Sequence, residues 1–322
     1  MLRRRFGTQE REWLIRMNTA KVLVTGSSGT IGTRLCEELL ARNYDVTGFD
    51  LKPNKWNIIV NERTVIGDLT NPSGLSVLSG NWDLVVHLAA NARVYNLVVN
   101  PLLARDNLEM MVNILEFMRS RKIPRIIFAS SREVYGNTHR IKRSEGATLG
   151  VEDCESPYAA SKLGGEALIH AYHHCYGLDY TILRFSNVYG RYDDSDRVIP
   201  LFIKLTKKNE ELVVYGKRKL LDFTYIDDAV EGIIRAIERF ESARNDVFNI
   251  ASGQAVSILR LARLVKKYMR AHNSIVLADS RTGEVVKFVA DITKAKRKLA
   301  YKPKTGIELG IQKAVQWDAQ IE

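Results

Sequence analysis

Short apolar runs alternate along this chain with stretches in which apolar residues recur every three or four positions. The first run is Lys21–Thr25. Ile31, Leu35, Leu39 and Leu40 then fall on one helical face, and Tyr44–Asp50 (YDVTGFD) forms a second run. Unbroken apolar runs of this length suit strands buried on both faces, and the 3.6-residue period suits helices that cover them. The alternation continues through Arg63–Leu69, Trp82–Ala90, Pro124–Ser131 and Leu178–Gly190, with helical stretches at Leu102–Met118 and Ala159–Cys175. The predicted fold class is α/β, a doubly wound parallel sheet with a smaller α/β lobe supplied by the later sequence. Such sheets bind ligands at the carboxyl ends of their strands.

Three glycines, Gly26, Gly29 and Gly32, stand between the first run and the first helix. Glycine there permits a tight turn, close approach of backbone to a phosphate, and close packing of helix on strand. The helix then offers free N–H groups to a pyrophosphate. By itself the triplet is only a turn before a helix. Its strand–turn–helix–strand setting, with Asp50 ending the second strand where a carboxylate would hold a ribose 2′-hydroxyl, makes it a dinucleotide site. The carboxylate would also repel a 2′-phosphate, so NAD is expected over NADP.

The stretch FASSREVYGN (Phe128–Asn137) leaves a predicted strand end and places Ser130, Ser131, Arg132 and Glu133 at the ligand crevice. Downstream, Tyr158 and Lys162 lie four apart on a predicted helix and share a face. An ammonium beside a phenol favours the phenolate and draws its pKa below about 10, which suits acid/base chemistry near neutrality.

Composition changes this picture little. The 322 residues are 45% hydrophobic, enough for a large core, and the net charge is +11. Residues 1–16 contribute five arginines against two glutamates, a net +3, and the remaining +8 is scattered with a modest cluster at Lys294–Lys298. A basic surface suits an anionic small substrate as well as a polynucleotide, but basic and aromatic residues do not interleave as in nucleic-acid binders. Cys36, Cys154 and Cys175 form no disulfide framework, which points to a reducing, cytoplasmic setting. No apolar run approaches the roughly 18–20 residues of a membrane span. Residues 1–18 read as an extension ahead of the fold, with Met17 as an alternative start. His170, His173 and His174 share a helix, but no carboxylate or cysteine completes a metal set at suitable spacing, so no metal is expected.

Taken together, TGSSGTIG, Asp68–Leu69, HLAA, Asn107, SSREVYG, PYAASK, RFSNVYG and RTGEV resemble the extended short-chain dehydrogenase/reductase family. The resemblance runs from Ala20 to the C-terminus and is nearest to the nucleotide-sugar epimerases and dehydratases, typified by UDP-glucose 4-epimerase. It implies a Rossmann-type NAD-binding domain at 19–189 and 223–250, and a nucleotide-sugar lobe at 190–222 and 251–322. Cofactor contacts would come from Thr30 and Ile31 after the turn, Asp50 and Leu51 at the ribose, Asp68 and Leu69 at adenine, and Leu88, Ala89 and Ala90 along the cleft. Asn107 would support the site from its helix. Ser131, Tyr158 and Lys162 would be catalytic. Arg132, Glu133, Asn187, Val198, Tyr215, Arg281 and Glu284 would meet the substrate.

One departure from the family pattern is Leu221, which stands where many relatives carry an arginine; Arg218 or Lys219 is the candidate replacement. The implied activity is 4-epimerisation of a UDP-hexose such as UDP-glucose/UDP-galactose, in a homodimer formed through the helices of Asn107 and Tyr158. A UDP-glucuronate 4-epimerase or decarboxylase is the runner-up. A catalytically retired relative that binds RNA or protein is the alternative of another class, and the intact Ser131, Tyr158 and Lys162 argue against it. Dehydratases of the family carry an aspartic acid where this chain has Arg132, and arginine cannot donate the proton that expels water. Arg132 could pair with Glu133 or with a substrate carboxylate.

Overall fold

A computed structural model describes residues 20–137 and 140–321, so the extension at 1–18 lies outside the described residues. Seven parallel strands form the main sheet: β1 (Lys21–Thr25), β2 (Asp45–Asp50), β3 (Thr64–Ile66), β4 (Leu84–His87), β5 (Arg125–Ser131), β6 (Asp179–Phe185) and β7 (Asp246–Ile250). Their spatial order is β7-β6-β5-β4-β1-β2-β3. The order reverses between β1 and β4, so connections leave toward opposite sides there and open a crevice at the strands' carboxyl ends.

The unalternating strand runs follow from burial on both faces. Val22 and Val24 of β1 enter one apolar layer with Leu35 and Leu39 of helix α1 (Thr30–Ala41). Leu23, between them, enters the opposite layer with Met111, Ile114 and Ile169. That second layer is roofed by α3 (Leu102–Arg121) and α4 (Pro157–Tyr176), which follow the short α2 (Val94–Val99). Ser156 caps α4 by accepting from the Ala159 amide at 3.2 Å, Pro157 starts it, and Gly177 ends it at φ +72°. The cap moves the helix start two residues ahead of the periodic pattern and puts Tyr158 in the first turn.

The run Leu178–Gly190 is not one strand. β6 stops at Phe185, and Asn187–Tyr189 joins a second sheet with Leu220–Tyr225 and Ala255–Ser257. Ser186 makes the break, its hydroxyl paired with Thr224 Oγ1 at 2.6 Å. The lobe also contains α5 (Val198–Lys207), α7 (Ile258–Met269) and α8 (Ile307–Asp318), while α6 (Ile226–Glu238) returns to pack on α1. Among the described residues no helix is long and apolar enough to cross a membrane.

His87 ends β4 fully buried, 2.7 Å from Thr25 Oγ1. Burial, with the nearby Lys162 charge second, pushes its pKa down to about 3. The unfolded chain therefore takes up a proton below about pH 6.5 that the folded chain refuses, and stability is lost as pH falls from there toward 3. Between pH 6.5 and 4.5 the group is expected to remove about 2–3 kcal/mol. Urea midpoints measured across that range should fall less steeply in His87→Gln than in the unsubstituted protein. Parallel slopes would show that His87 does not carry the effect.

Candidate active site

The glycine turn is built for close contact. Gly26 has φ +75°, and a Cβ there would meet the Ala89 amide nitrogen at 2.7 Å. A Cβ on Gly32 would lie 2.0 Å from the Gly26 carbonyl. Gly29 caps α1 without a side-chain acceptor, which leaves the first-turn amides available. Asp50 stands beside this turn and accepts from the Ser28 amide at 2.9 Å and the Lys52 amide at 3.0 Å. Free helix amides with a carboxylate at the next strand end fit a dinucleotide: pyrophosphate on α1, ribose hydroxyls toward Asp50.

Other expected cofactor residues have mixed settings. Thr30 donates to the Tyr192 carbonyl at 3.0 Å, tying the turn to the lobe. Leu51 is exposed, and Asp68 is exposed with its Oδ1 accepting from the Thr70 amide and hydroxyl at 2.8 Å each. The Leu69 side chain is buried in the core with Phe49 and Leu75, so only its backbone can face a nucleotide. Asn107 holds the loop after β4, its Oδ1 accepting from the Asn91 amide at 2.7 Å and its Nδ2 donating to the Asn91 carbonyl and to Ser161. Ala89 borders a small void that it shares with Asn107 and Lys162.

A cavity of about 320 Å³ lies between the sheet's carboxyl edge and the lobe. Ile31, Leu88 and Ala90 line it from the cofactor side, and Ser131, Arg132, Glu133, Tyr158 and Lys162 form its wall. The lobe contributes Asn187, Val198, Tyr215, Arg281 and Glu284. Ile31 and Glu284, 253 positions apart in sequence, thus meet in one space of ligand size.

The wall's electrostatics differ from the sequence expectation. Tyr158 is buried and hydrogen-bonded to Ser131, yet burial pushes its pKa up to about 12, with the Ser131 bond pulling the other way. Lys162 does not offset this. Its ammonium donates to the Ala129 carbonyl at 2.8 Å and lies 5.8 Å from the Tyr158 ring centroid. Burial also brings the lysine down to about 8, with Glu166 opposing. Desolvation acts on both partners, so the lysine's pull on the phenol is weaker than helical spacing alone suggests.

Ser130, read from sequence as facing the ligand, borders the cavity but donates to Glu166 Oε1 at 2.5 Å. Arg132 Nη2 sits 2.7 Å from Glu133 Oε1 and donates to Asn187 Oδ1 at 3.3 Å. Arg281 lies over the rings of Tyr215 (4.1 Å) and Tyr95 (5.1 Å). Of the two candidates to replace the arginine missing at Leu221, Arg218 is exposed, whereas Lys219 lines the cavity and pairs with Glu284. Tyr95 in the first turn of α2, with Arg93 and Arg197 at the N-terminal ends of α2 and α5, also lines the cavity; these residues escaped sequence reading because no motif marks them. His170 meets the Tyr180 hydroxyl and His173 the Leu178 carbonyl.

These features define a class: a doubly wound dinucleotide-binding type of fold whose cavity wall carries a buried tyrosine on the helix after β5, bonded to a serine of that strand. Comparison with known proteins narrows it. A family model described as the NAD dependent epimerase/dehydratase family matches residues 22–251. UDP-glucuronate 4-epimerase 4 of Arabidopsis thaliana is 31% identical over 93% of this chain and 75% of its own length. UDP-glucose 4-epimerase of Thermotoga maritima, solved with UDP-glucose, superposes with a TM-score of 0.85 at 28% identity, covering 94% of this chain and 99% of that one. UDP-glucuronic acid 4-epimerase of Bacillus cereus, solved with UDP-glucuronic acid and NAD, gives 0.84 at 29% identity, covering 94% and 100%. The chain belongs to the NAD-dependent epimerase/dehydratase family of extended short-chain dehydrogenases/reductases, and it is an NAD-dependent enzyme of isomerase type.

Proposed function

We propose that the protein is a 4-epimerase of a UDP-hexose, interconverting UDP-glucose and UDP-galactose through a transient 4-keto sugar. The observation that carries the choice of sugar is the buried Arg132–Glu133 pair beside Ser131. Its charges cancel within the wall, which leaves little net attraction for a substrate carboxylate and suits a neutral hexose. UDP-glucuronate 4-epimerisation is the second reading, favoured by the names of two of the relatives and by an Arg132 Nη1 that has no partner among the described residues.

When bound, NAD supplies the hydride acceptor and, in oxidised form, a positive charge beside the wall. Tyr158 would take the proton of the sugar 4-hydroxyl as C4 is oxidised to the ketone, and would give a proton back to that oxygen when the same hydride returns to the other face of C4. Ser131 hydrogen-bonds the same oxygen, and Lys162, fixed on the Ala129 carbonyl, holds its charge near the phenol. Arg281 and Lys219, both lining the cavity, would hold the diphosphate, and Glu284 the nucleoside ribose. Residues 19–189 with 223–250 are the proposed NAD domain, and 190–222 with 251–322 the nucleotide-sugar lobe. The free state of Cys36, Cys154 and Cys175 supports a reducing, cytoplasmic setting.

Incubation with UDP-galactose, followed by NMR, is expected to yield UDP-glucose with no net reduction of NAD. UDP-xylose or UDP-galacturonate from UDP-glucuronate, or a 4-keto-6-deoxy product, with no UDP-glucose formed from UDP-galactose, would overturn the reading. A homodimer through α3 and α4 belongs to the same proposal, supported by Leu102, Val112 and Tyr176 on their exposed faces. Light scattering should return twice the 36.5 kDa chain mass; a monomer at micromolar concentration would contradict it.

A further inference from the structure

Among the described residues, Arg132 and Glu133 each keep one polar atom without a hydrogen-bond partner. Arg132 Nη1 and Glu133 Oε2 are both buried and unpaired, although their residues line the cavity next to Ser131. A buried, unsatisfied donor beside a buried, unsatisfied acceptor is costly unless something completes both. Arg132 Nη2 and Glu133 Oε1 are already engaged. Arg132 Nη2 serves Glu133 Oε1 and Asn187 Oδ1, and the guanidinium lies 5.7 Å from the Phe288 ring centroid. A carboxylate ligand needs a free two-nitrogen edge of the guanidinium for a forked grip. Here one side of the fork is occupied by the protein's own carboxylate.

We infer that Arg132 and Glu133 select the sugar: Nη1 donates to, and Oε2 accepts from, one neutral hydroxyl of the substrate, while the fixed Glu133 charge excludes a carboxylate from that position. A hydroxyl is the simplest group that completes both atoms, because it donates and accepts at one oxygen. A hexuronate carboxylate could accept a hydrogen bond from Nη1 only by placing its charge against Oε2. This inference rests on the UDP-hexose reading and adds to it the residues that enforce the choice.

The test compares kcat/KM for UDP-galactose and UDP-glucuronate in the NAD-loaded protein, with dissociation constants by calorimetry giving the same ratio wherever turnover is slow. In the unsubstituted protein UDP-galactose is preferred. Glu133→Gln leaves Arg132 without its counter-charge, and the preference is expected to move toward UDP-glucuronate by at least about 30-fold, as expected when one member of a buried charge pair is removed. The paired change Arg132→Gln with Glu133→Gln keeps hydrogen-bonding groups and buries no lone charge, so it guards against a single variant that does not fold. It is expected to lower kcat/KM for UDP-galactose by up to about 10-fold, the range of one charge-assisted hydrogen bond, while weakening rejection of the hexuronate more than that. A galactose-to-glucuronate ratio that moves less than about 3-fold in both variants, below the worth of one hydrogen bond, overturns the inference and leaves the hexose reading standing. Preference for UDP-glucuronate in the unsubstituted protein overturns both.

Discussion

Replacing Tyr158 with phenylalanine is expected to lower turnover at least about 100-fold, the usual contribution of a positioned acid/base group, with fold and NAD binding retained. The reasoning starts from position. Ser156 and Pro157 start α4 so that Tyr158 occupies its first turn, buried, with Ser131 of β5 bonded to its hydroxyl. Phenylalanine keeps the ring and its packing, so the loss falls on proton transfer. Burial holds the phenol at about 12, a weak acid that needs neighbouring positive charge to give up its proton. Arg197 and Arg132 are the protein's cations that favour the phenolate, whereas Lys162, brought down to about 8 by burial, is tied to the Ala129 carbonyl. Single-turnover rates, with circular dichroism as the folding check, decide the matter. Near-normal turnover in Tyr158→Phe would show that another group moves the proton.

Arg184→Met is expected to cost about 3–5 kcal/mol of stability, the range for removing one member of a buried ion pair. Arg184 in β6 donates through Nε and Nη2 to Glu166 of α4 at 2.9 and 2.6 Å, and both side chains are buried. Its Nη1 donates to the Tyr135 hydroxyl at 3.1 Å, which in turn donates to Asn249 in β7 at 2.8 Å. Ser130 completes the Glu166 carboxylate from β5. Three adjacent strands and the Tyr158 helix are therefore joined by one polar network directly behind the wall. Methionine would leave the Glu166 charge buried and unpaired. Urea unfolding should show the loss, and the double change Arg184→Met with Glu166→Leu should recover much of it, since an apolar pair leaves no stranded charge. A single variant within about 1 kcal/mol of the parent, the scale of an ordinary exposed pair, would show that the network contributes little.

This network also answers why SSREVYG follows β5. Ser131 faces Tyr158, but Ser130 serves Glu166, and Arg132 and Glu133 serve each other. Adjacent residues at a strand end point to opposite sides, so neighbours in sequence were bound to separate roles. The reading of both serines as ligand-facing treated them alike. What separated them was which helix side chain stood opposite each.

Local information was enough for the strand–turn–helix start. A β1 buried from Val22 to Thr25, three glycines and Asp50 depend on short-range sterics and on apolar runs without alternation, both of which are written in consecutive residues. The shared face of Tyr158 and Lys162 likewise follows from helical geometry. Other features arise only when distant segments meet. The break at Ser186 depends on Thr224, the choice of Lys219 over Arg218 depends on which side of a loop is buried against Glu284, and Leu69 turns inward because Phe49 and Leu75 lie beneath it. The pKa values of Tyr158 and Lys162 belong to the same category. Spacing along a helix sets which charges are neighbours, but the tertiary packing sets how much water remains to solvate them, and here desolvation is the larger effect.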